Sequence, residues 1–194
     1  MKKRFYIFRH GQSTYNVAGR TQGQTNDSVL TDLGRKQAFN IGQRLKNRKI
    51  ELIICSPLRR SKQTAVLVNQ SLNVPIIDDM RFIEVDVGVI EGMHFSEIER
   101  DYAAEYKRWR SSDIRDEDFH FEGGESKREV RKRVFEGLEH YTQNSPFTNI
   151  AISSHGIMLS QVLVQLGYKE LEISNGTIIC LENNYGVWKV TELL

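Results

Sequence analysis

Two short apolar runs, Phe5-Tyr6-Ile7-Phe8 and Ile150-Ala151-Ile152, stop abruptly at polar residues that include a histidine followed by a glycine. The first gives way to Arg9-His10-Gly11 and the second to Ser153-Ser154-His155-Gly156. Aromatic and β-branched runs with no polar alternation suit strands buried on both faces, the condition of a parallel sheet covered by helices. Leu52-Ile53-Ile54 is a third such run. The stretches between them have a helical period. Thr31 precedes apolar positions at Ala38, Ile41 and Leu45, and Ser56-Pro57 reads as an N-cap with proline at the first helical position before Leu58, Ala65, Val68 and Leu72. Pro75 ends that helix, Ile76-Ile77 reads as a short strand, and Val130, Val134, Leu138 and Tyr141 mark a later helical stripe. Two β-rich stretches, 177–181 and 187–190, flank Glu182-Asn183-Asn184-Tyr185-Gly186 as a closing hairpin would. The alternation predicts an α/β fold, a three-layer α/β/α sandwich around a mainly parallel sheet, in which ligands sit beyond the carboxyl ends of the strands. His10 and His155, 145 positions apart, then meet at one sheet edge by topology alone.

The 194 residues suit one domain over 1–194. Periodicity weakens between Gly88 and Gly124: Ser96 to about Arg110 reads as a polar helix bearing Trp109, and 111–121 is charged and aperiodic. We read about 93–121 as a small lid insertion. Lys and Arg total 27 against 25 Asp and Glu, a formal charge of +2. That balance argues against nucleic-acid or membrane-surface partners recruited by bulk charge. The basic residues Lys127, Arg128, Arg131, Lys132 and Arg133, interrupted by Val130 and Val134, read as the wet side of an amphipathic helix. No run of about 18 apolar residues is present, and Phe5 to Phe8 is too short for a secretory leader. Cys55 and Cys180 stand alone, without the spacing of a disulfide framework or zinc cluster, so a reducing, cytoplasmic setting is expected. The free edge of the closing hairpin suits a homodimer.

The chemistry is carried by five blocks. They are Arg9-His10-Gly11-Gln12-Ser13 with Asn16; Ser56-Pro57-Leu58-Arg59-Arg60-Ser61 with Thr64-Ala65; Glu84 with Gly88 and Glu91-Gly92; Gly123-Gly124-Glu125-Ser126; and Ser154-His155-Gly156. In this order they resemble the histidine phosphatase superfamily, also called the phosphoglycerate mutase-like family, over nearly the whole chain. The resemblance implies that His10 attacks phosphorus to give a phosphohistidine, a role open to imidazole because its ordinary pKa near 6.5 leaves a neutral nitrogen at neutral pH. It implies that Arg9 and Arg60 clamp the phosphoryl oxygens with planar guanidinium forks, Arg59 being left to the surface. His155, with backbone N–H groups from Gly156 onward, completes the anion pocket. Glu84 corresponds to the carboxyl that protonates the leaving alkoxide and then activates water. Asn16 and Gln22 correspond to phosphate or substrate contacts.

No metal and no cofactor is expected, because guanidinium charge does the work that a divalent ion does elsewhere. The partner is a small-molecule phosphate ester. Gly123 follows Glu84 by only 39 positions, leaving little room for the long insertion associated with the glycolytic mutases. A phosphomonoester hydrolase is therefore favoured over a phosphoglycerate mutase, and both over a non-catalytic phosphate-binding module. Glu125 reads as a partner of a helix dipole, and Trp109 with Tyr102 to Tyr106 as a substrate mouth.

Overall fold

The computed structural model describes residues 2–111 and 113–194; Met1 and Ser112, which fall within the expected domain and lid, lie outside them. The chain opens with β1 (Lys2–Arg9), a single helical turn α1 (Thr14–Val17), α2 (Asp32–Leu45), β2 (Leu52–Cys55), α3 (Arg59–Asn69) and β3 (Ile76–Asp78). It continues with α4 (Phe95–Asp101), α5 (Ala103–Trp109), α6 (Lys127–Asn144), β4 (Asn149–Ser154), α7 (Gly156–Gln165), β5 (Ile178–Asn184) and β6 (Val187–Leu193). The strands form one six-stranded sheet in the order β3-β2-β4-β1-β5-β6. β3, β2, β4 and β1 run parallel, and the β5–β6 hairpin pairs antiparallel onto the other side of β1.

Residue alternation along β1 divides the core into two layers. Phe5 and Ile7 pack with Val130, Val134 and Leu138 of α6 and with Met158, Leu159 and Val162 of α7. Tyr6 and Phe8 face the opposite way, against Ile41 and Leu45 of α2 and Ala65 and Val68 of α3. Both faces of the sheet are covered, as the unbroken apolar runs require. The register places Arg9 opposite Ser154 and Cys55 opposite Ser153, so β1, β2 and β4 end at the same edge.

Three sequence readings need correction. The helix after β2 begins at Arg59 with Leu58 as its uncapped N-cap, not at Ser56-Pro57, because the Ser56 hydroxyl is engaged elsewhere, with the His155 ring. The expected helix from Ser96 to Arg110 is two helices, α4 and α5, broken at Tyr102, whose backbone leaves the helical region (φ −133°, ψ 33°) as its ring packs edge-on against Phe121. Not all of the basic run on α6 is wet. Lys127 and Arg131 are buried, Lys127 pairing with Glu170 beside the Trp109 ring and Arg131 with Glu117 and Gln161. Residues 113–121 lie against that side of the helix, where Glu117 and Asp118 pair with Arg131 and Arg128.

The first turn of α2 lies directly against the loop that follows β1. A Cβ on Gly34 would stand 2.0 Å from the Gln12 carbonyl oxygen, and one on Gly11 would stand 2.2 Å from that of Gly34. Gly→Ala inside a helix ordinarily stabilises by about 0.5–1 kcal/mol. Here the sign reverses: Gly34→Ala should destabilise by about 2 kcal/mol through overpacking against backbone that cannot yield. Denaturant unfolding measures this, and a stability equal to or above that of the wild type would show that the helix and loop do not touch this closely.

Candidate active site

The shared strand edge opens into a cavity of about 340 Å³. Arg9, His10, Arg60 and Glu84 line it, together with Asn16, Gln22 and Gly156. His155 lies just behind, its ring centroid 5.3 Å from that of His10 in an edge-to-face arrangement. The topology therefore brings together the site residues Arg9, His10, Asn16, Gln22, Arg60, Glu84, His155 and Gly156 from four separate segments, while the Gly123–Ser126 block does not line the cavity. Arg59 is exposed, as expected.

The His10 backbone N–H donates to the Ser154 carbonyl (3.0 Å), which ties the end of β1 to the end of β4. The His10 Nδ1 lies 2.7 Å from the Gly11 carbonyl oxygen. A carbonyl only accepts, so Nδ1 carries the proton and Nε2 holds the lone pair. Burial holds His10 well below the ordinary 6.5, and the guanidinium charges of Arg60 and Arg9 push it further down. His155 is lowered by the same burial, then by Arg60, His10 and Arg9. Both rings are neutral at neutral pH. His155 Nε2 meets the Ser56 hydroxyl at 2.7 Å, and its Nδ1 has no hydrogen-bond partner among the described residues.

The arginines, Arg60 buried and Arg9 half-buried, are cations held by neutral oxygens. Arg60, 1% exposed, donates to the carbonyls of Gly23 (2.7 Å) and Thr25 (2.9 Å), while Arg9 donates to that of Ile173. Burial lowers the Arg60 pKa to about 10, which leaves it fully charged at neutral pH. Arg9 is lowered for the same reason. The Nε groups of both are buried without a partner among the described residues. Gly156 keeps the space beside Arg9 open: a Cβ there would stand 3.3 Å from the guanidinium carbon. Concentrated positive charge with unspent donors in a low-dielectric pocket suits an anion carrying several oxygens.

Glu84 is buried, and its carboxylate accepts from the N–H groups of Val85 (3.0 Å), Ile157 (3.1 Å) and Met158 (3.1 Å). This corrects the expectation that the first turn of α7 adds its N–H groups to the anion pocket, since the donors of Ile157 and Met158 go to Glu84. The Asn16 side-chain oxygen is held by Ser13 and by Asn175, and that of Gln22 by the Ser13 hydroxyl. Asn175 also donates to the His10 carbonyl (3.0 Å), a contact without any sequence signal beyond a turn-like Asn-Gly pair. The rest of the cavity is walled by a mixture of aromatic and charged side chains, the charged ones including Arg20, Arg110, Lys127, Glu170 and Glu172. Phe95, Tyr106 and Trp109 of α4 and α5 line it, while Tyr102 faces Phe121 instead.

Comparison with known proteins agrees with this arrangement. The family model described as histidine phosphatase superfamily (branch 1) matches residues 5–193. Phosphoserine phosphatase 1 of Hydrogenobacter thermophilus is 32% identical over 151 residues, covering 78% of this chain and 70% of its own. A probable phosphoglycerate mutase GpmB of Erwinia tasmaniensis is 30% identical over 191 residues, covering 94% of this chain and 86% of its own. Among solved structures, a mycobacterial glucosyl-3-phosphoglycerate phosphatase in complex with VO3 superposes with a TM-score of 0.87 at 25% identity, over 97% of each chain. Bacillus stearothermophilus YhfR shares the fold, with a TM-score of 0.88 at 24% identity. With four of its five motif blocks gathered around one cavity and a family match running over residues 5–193, the chain belongs to the histidine phosphatase superfamily, branch 1.

Proposed function

We propose that this protein is a phosphomonoester hydrolase that transfers the phosphoryl group of a small phosphorylated metabolite to His10 and then to water. The observation that carries this reading is the buried His10 imidazole, its Nδ1 proton committed to the Gly11 carbonyl and its Nε2 lone pair left free, in a cavity lined by the buried guanidinium of Arg60 and the half-buried one of Arg9. The phosphate oxygens take up the unspent donors of Arg9, Arg60 and His155, and Nε2 attacks phosphorus as the P–O bond to the leaving group breaks. Glu84 protonates the departing alkoxide. It then takes a proton from the water that cleaves the phosphohistidine, releasing inorganic phosphate and restoring neutral His10. The chemistry calls on no metal or cofactor. The 93–121 segment acts as the lid over the leaving group, and the protein works in the cytoplasm. Nucleic acids and membranes are not partners; among the described residues no helix is long and apolar enough to cross a membrane.

A second reading, phosphoglycerate mutase, is favoured by the name of the GpmB relatives. The two differ in whether water or a bound alcohol receives the phosphoryl group from His10. The hydrolase reading predicts that, with 3-phosphoglycerate and a bisphosphoglycerate primer, release of inorganic phosphate outruns isomer exchange; the reverse ratio would establish the mutase. Replacing the nucleophile gives a second test. His10→Ala should lower turnover of an aryl phosphate by at least about 10⁴-fold and abolish the acid-labile phosphoryl adduct seen after rapid quenching. An adduct that persists in that variant would place the nucleophile elsewhere.

The neutral histidine pair also fixes the acid stability of the fold. Each imidazole binds a proton more readily in the unfolded chain, near pH 6.5, than in the folded one, where its pKa is lowered. The stability gained by keeping the pair neutral is complete above that pH and is lost as the pH falls below it. In phosphate-free buffer the melting temperature should therefore drop between about pH 7 and about pH 5, and His155→Asn should flatten the drop. A wild-type melting temperature that stays level over this interval would contradict the neutral pair.

A further inference from the structure

Nothing in the mechanism above uses Glu125, although the Gly123-Gly124-Glu125-Ser126 block stands out in the sequence. Its carboxylate does not simply face the end of a helix. It forms a two-pronged ion pair with Arg133, two turns further along α6, with Nε to Oε1 at 2.6 Å and Nη2 to Oε2 at 2.9 Å. The side chains are 17% and 18% exposed, so the pair is largely withdrawn from water. The rest of the guanidinium turns away from Glu125. Nη1 donates to the carbonyls of Arg81 (2.9 Å) and Ile83 (2.8 Å), and Nη2 donates to that of Glu84 (3.1 Å). All five N–H donors of the arginine are thereby spent.

The carbonyls they hold belong to the segment that delivers Glu84 to the cavity. The one carbonyl in 81–84 that Arg133 does not reach, that of Phe82, accepts from the Ser154 hydroxyl (2.7 Å), and Gln24 Nε2 also donates to the carbonyl of Glu84 (3.1 Å). Four successive peptide oxygens are thus fixed by side chains from other parts of the fold, most of them by Arg133. This segment has no strand or α-helix of its own to hold it: a 3₁₀ turn covers Met80–Phe82, and Ile83 and Glu84 follow in extended or irregular backbone. Its geometry therefore depends on what grips it from outside. Arg133 is not among the cavity-lining residues.

We propose that Arg133, clamped by Glu125, is a positioning residue that sets Glu84 for proton transfer. This rests on the reading of Glu84 as the acid and base, and it assigns the block around Glu125 a part in the reaction. Because Arg133 acts through Glu84, its loss should matter most where the leaving group needs a proton and least where it departs as a stabilised anion.

Two esters separate these cases: glycerol 2-phosphate, whose alkoxide must be protonated, and p-nitrophenyl phosphate, whose phenolate leaves unaided. kcat/KM reports the steps up to transfer onto His10 and so isolates the acid role from the later hydrolysis. Arg133→Lys keeps the charge and loses the fork. It should cost about 30-fold on the alkyl ester and under about 3-fold on the aryl ester, the same selectivity that Glu84→Gln shows. Combined with Glu84→Gln, it should cost little more than Glu84→Gln alone. Glu125→Gln should give a weaker version of the same selectivity, and it decides the matter if Arg133→Lys does not fold. Equal losses on both esters, or no loss on either, would make the pair purely structural and overturn the proposal. A wild-type protein inert toward both esters would overturn the hydrolase reading itself, and a Glu84→Gln variant indifferent to the leaving group would overturn the role of Glu84; the proposal falls with either.

Discussion

The withdrawal from water of the Arg60 guanidinium, and in part of that of Arg9, without a carboxylate ion pair to either among the described residues shapes everything around the cavity. Removing a charge from water costs several kcal/mol unless other dipoles replace the lost hydration. The fold meets this cost for Arg60 with carbonyls from the 23–25 loop and for Arg9 with the carbonyl of Ile173. These are neutral partners. They orient the forks without cancelling their charge, so the positive potential remains available to a ligand. Burial, reinforced by the same potential, keeps His10 and His155 unprotonated.

Glu84 shows the opposite solution. It is the carboxylate nearest the two arginines by electrostatic influence, yet its hydrogen bonds go to backbone N–H groups of its own neighbour and of the first turn of α7. An ion pair with either arginine would cancel the positive charge that faces the cavity. By giving the helix end to the Glu84 carboxyl group and leaving the guanidinium Nε donors unpaired, the site holds an acid and two cations in one small volume with no ion pair between them among the described residues.

Much of this was legible in the sequence because it is set by local pattern. The uninterrupted apolar runs of β1, β2 and β4 announced a sheet covered on both faces, and the polar residues directly after them announced where a site would form. Side-chain chemistry at the strand ends did the rest for Arg9, His10 and His155. What stayed hidden depends on distant backbone. Ser56 looked like a helix cap because its hydroxyl's partner, His155, lies 99 positions away. Lys127 and Arg131 looked solvated because periodicity along α6 does not reveal that 113–121 settles on that side. The grip of Arg133 on three carbonyls leaves no trace in a string of residue types, since every residue has a carbonyl to offer.

The order of strands has a consequence for synthesis. β1 is made well before its two neighbours, β4 and β5, the fourth and fifth strands of six. While the chain emerges from the ribosome, the strand that ends in His10 has no ladder on either side until some 150 residues have followed it. A half-made chain therefore carries His10 on an unpaired strand, with the Ser154 carbonyl that anchors its backbone still untranslated. The cavity takes shape only when the sheet closes.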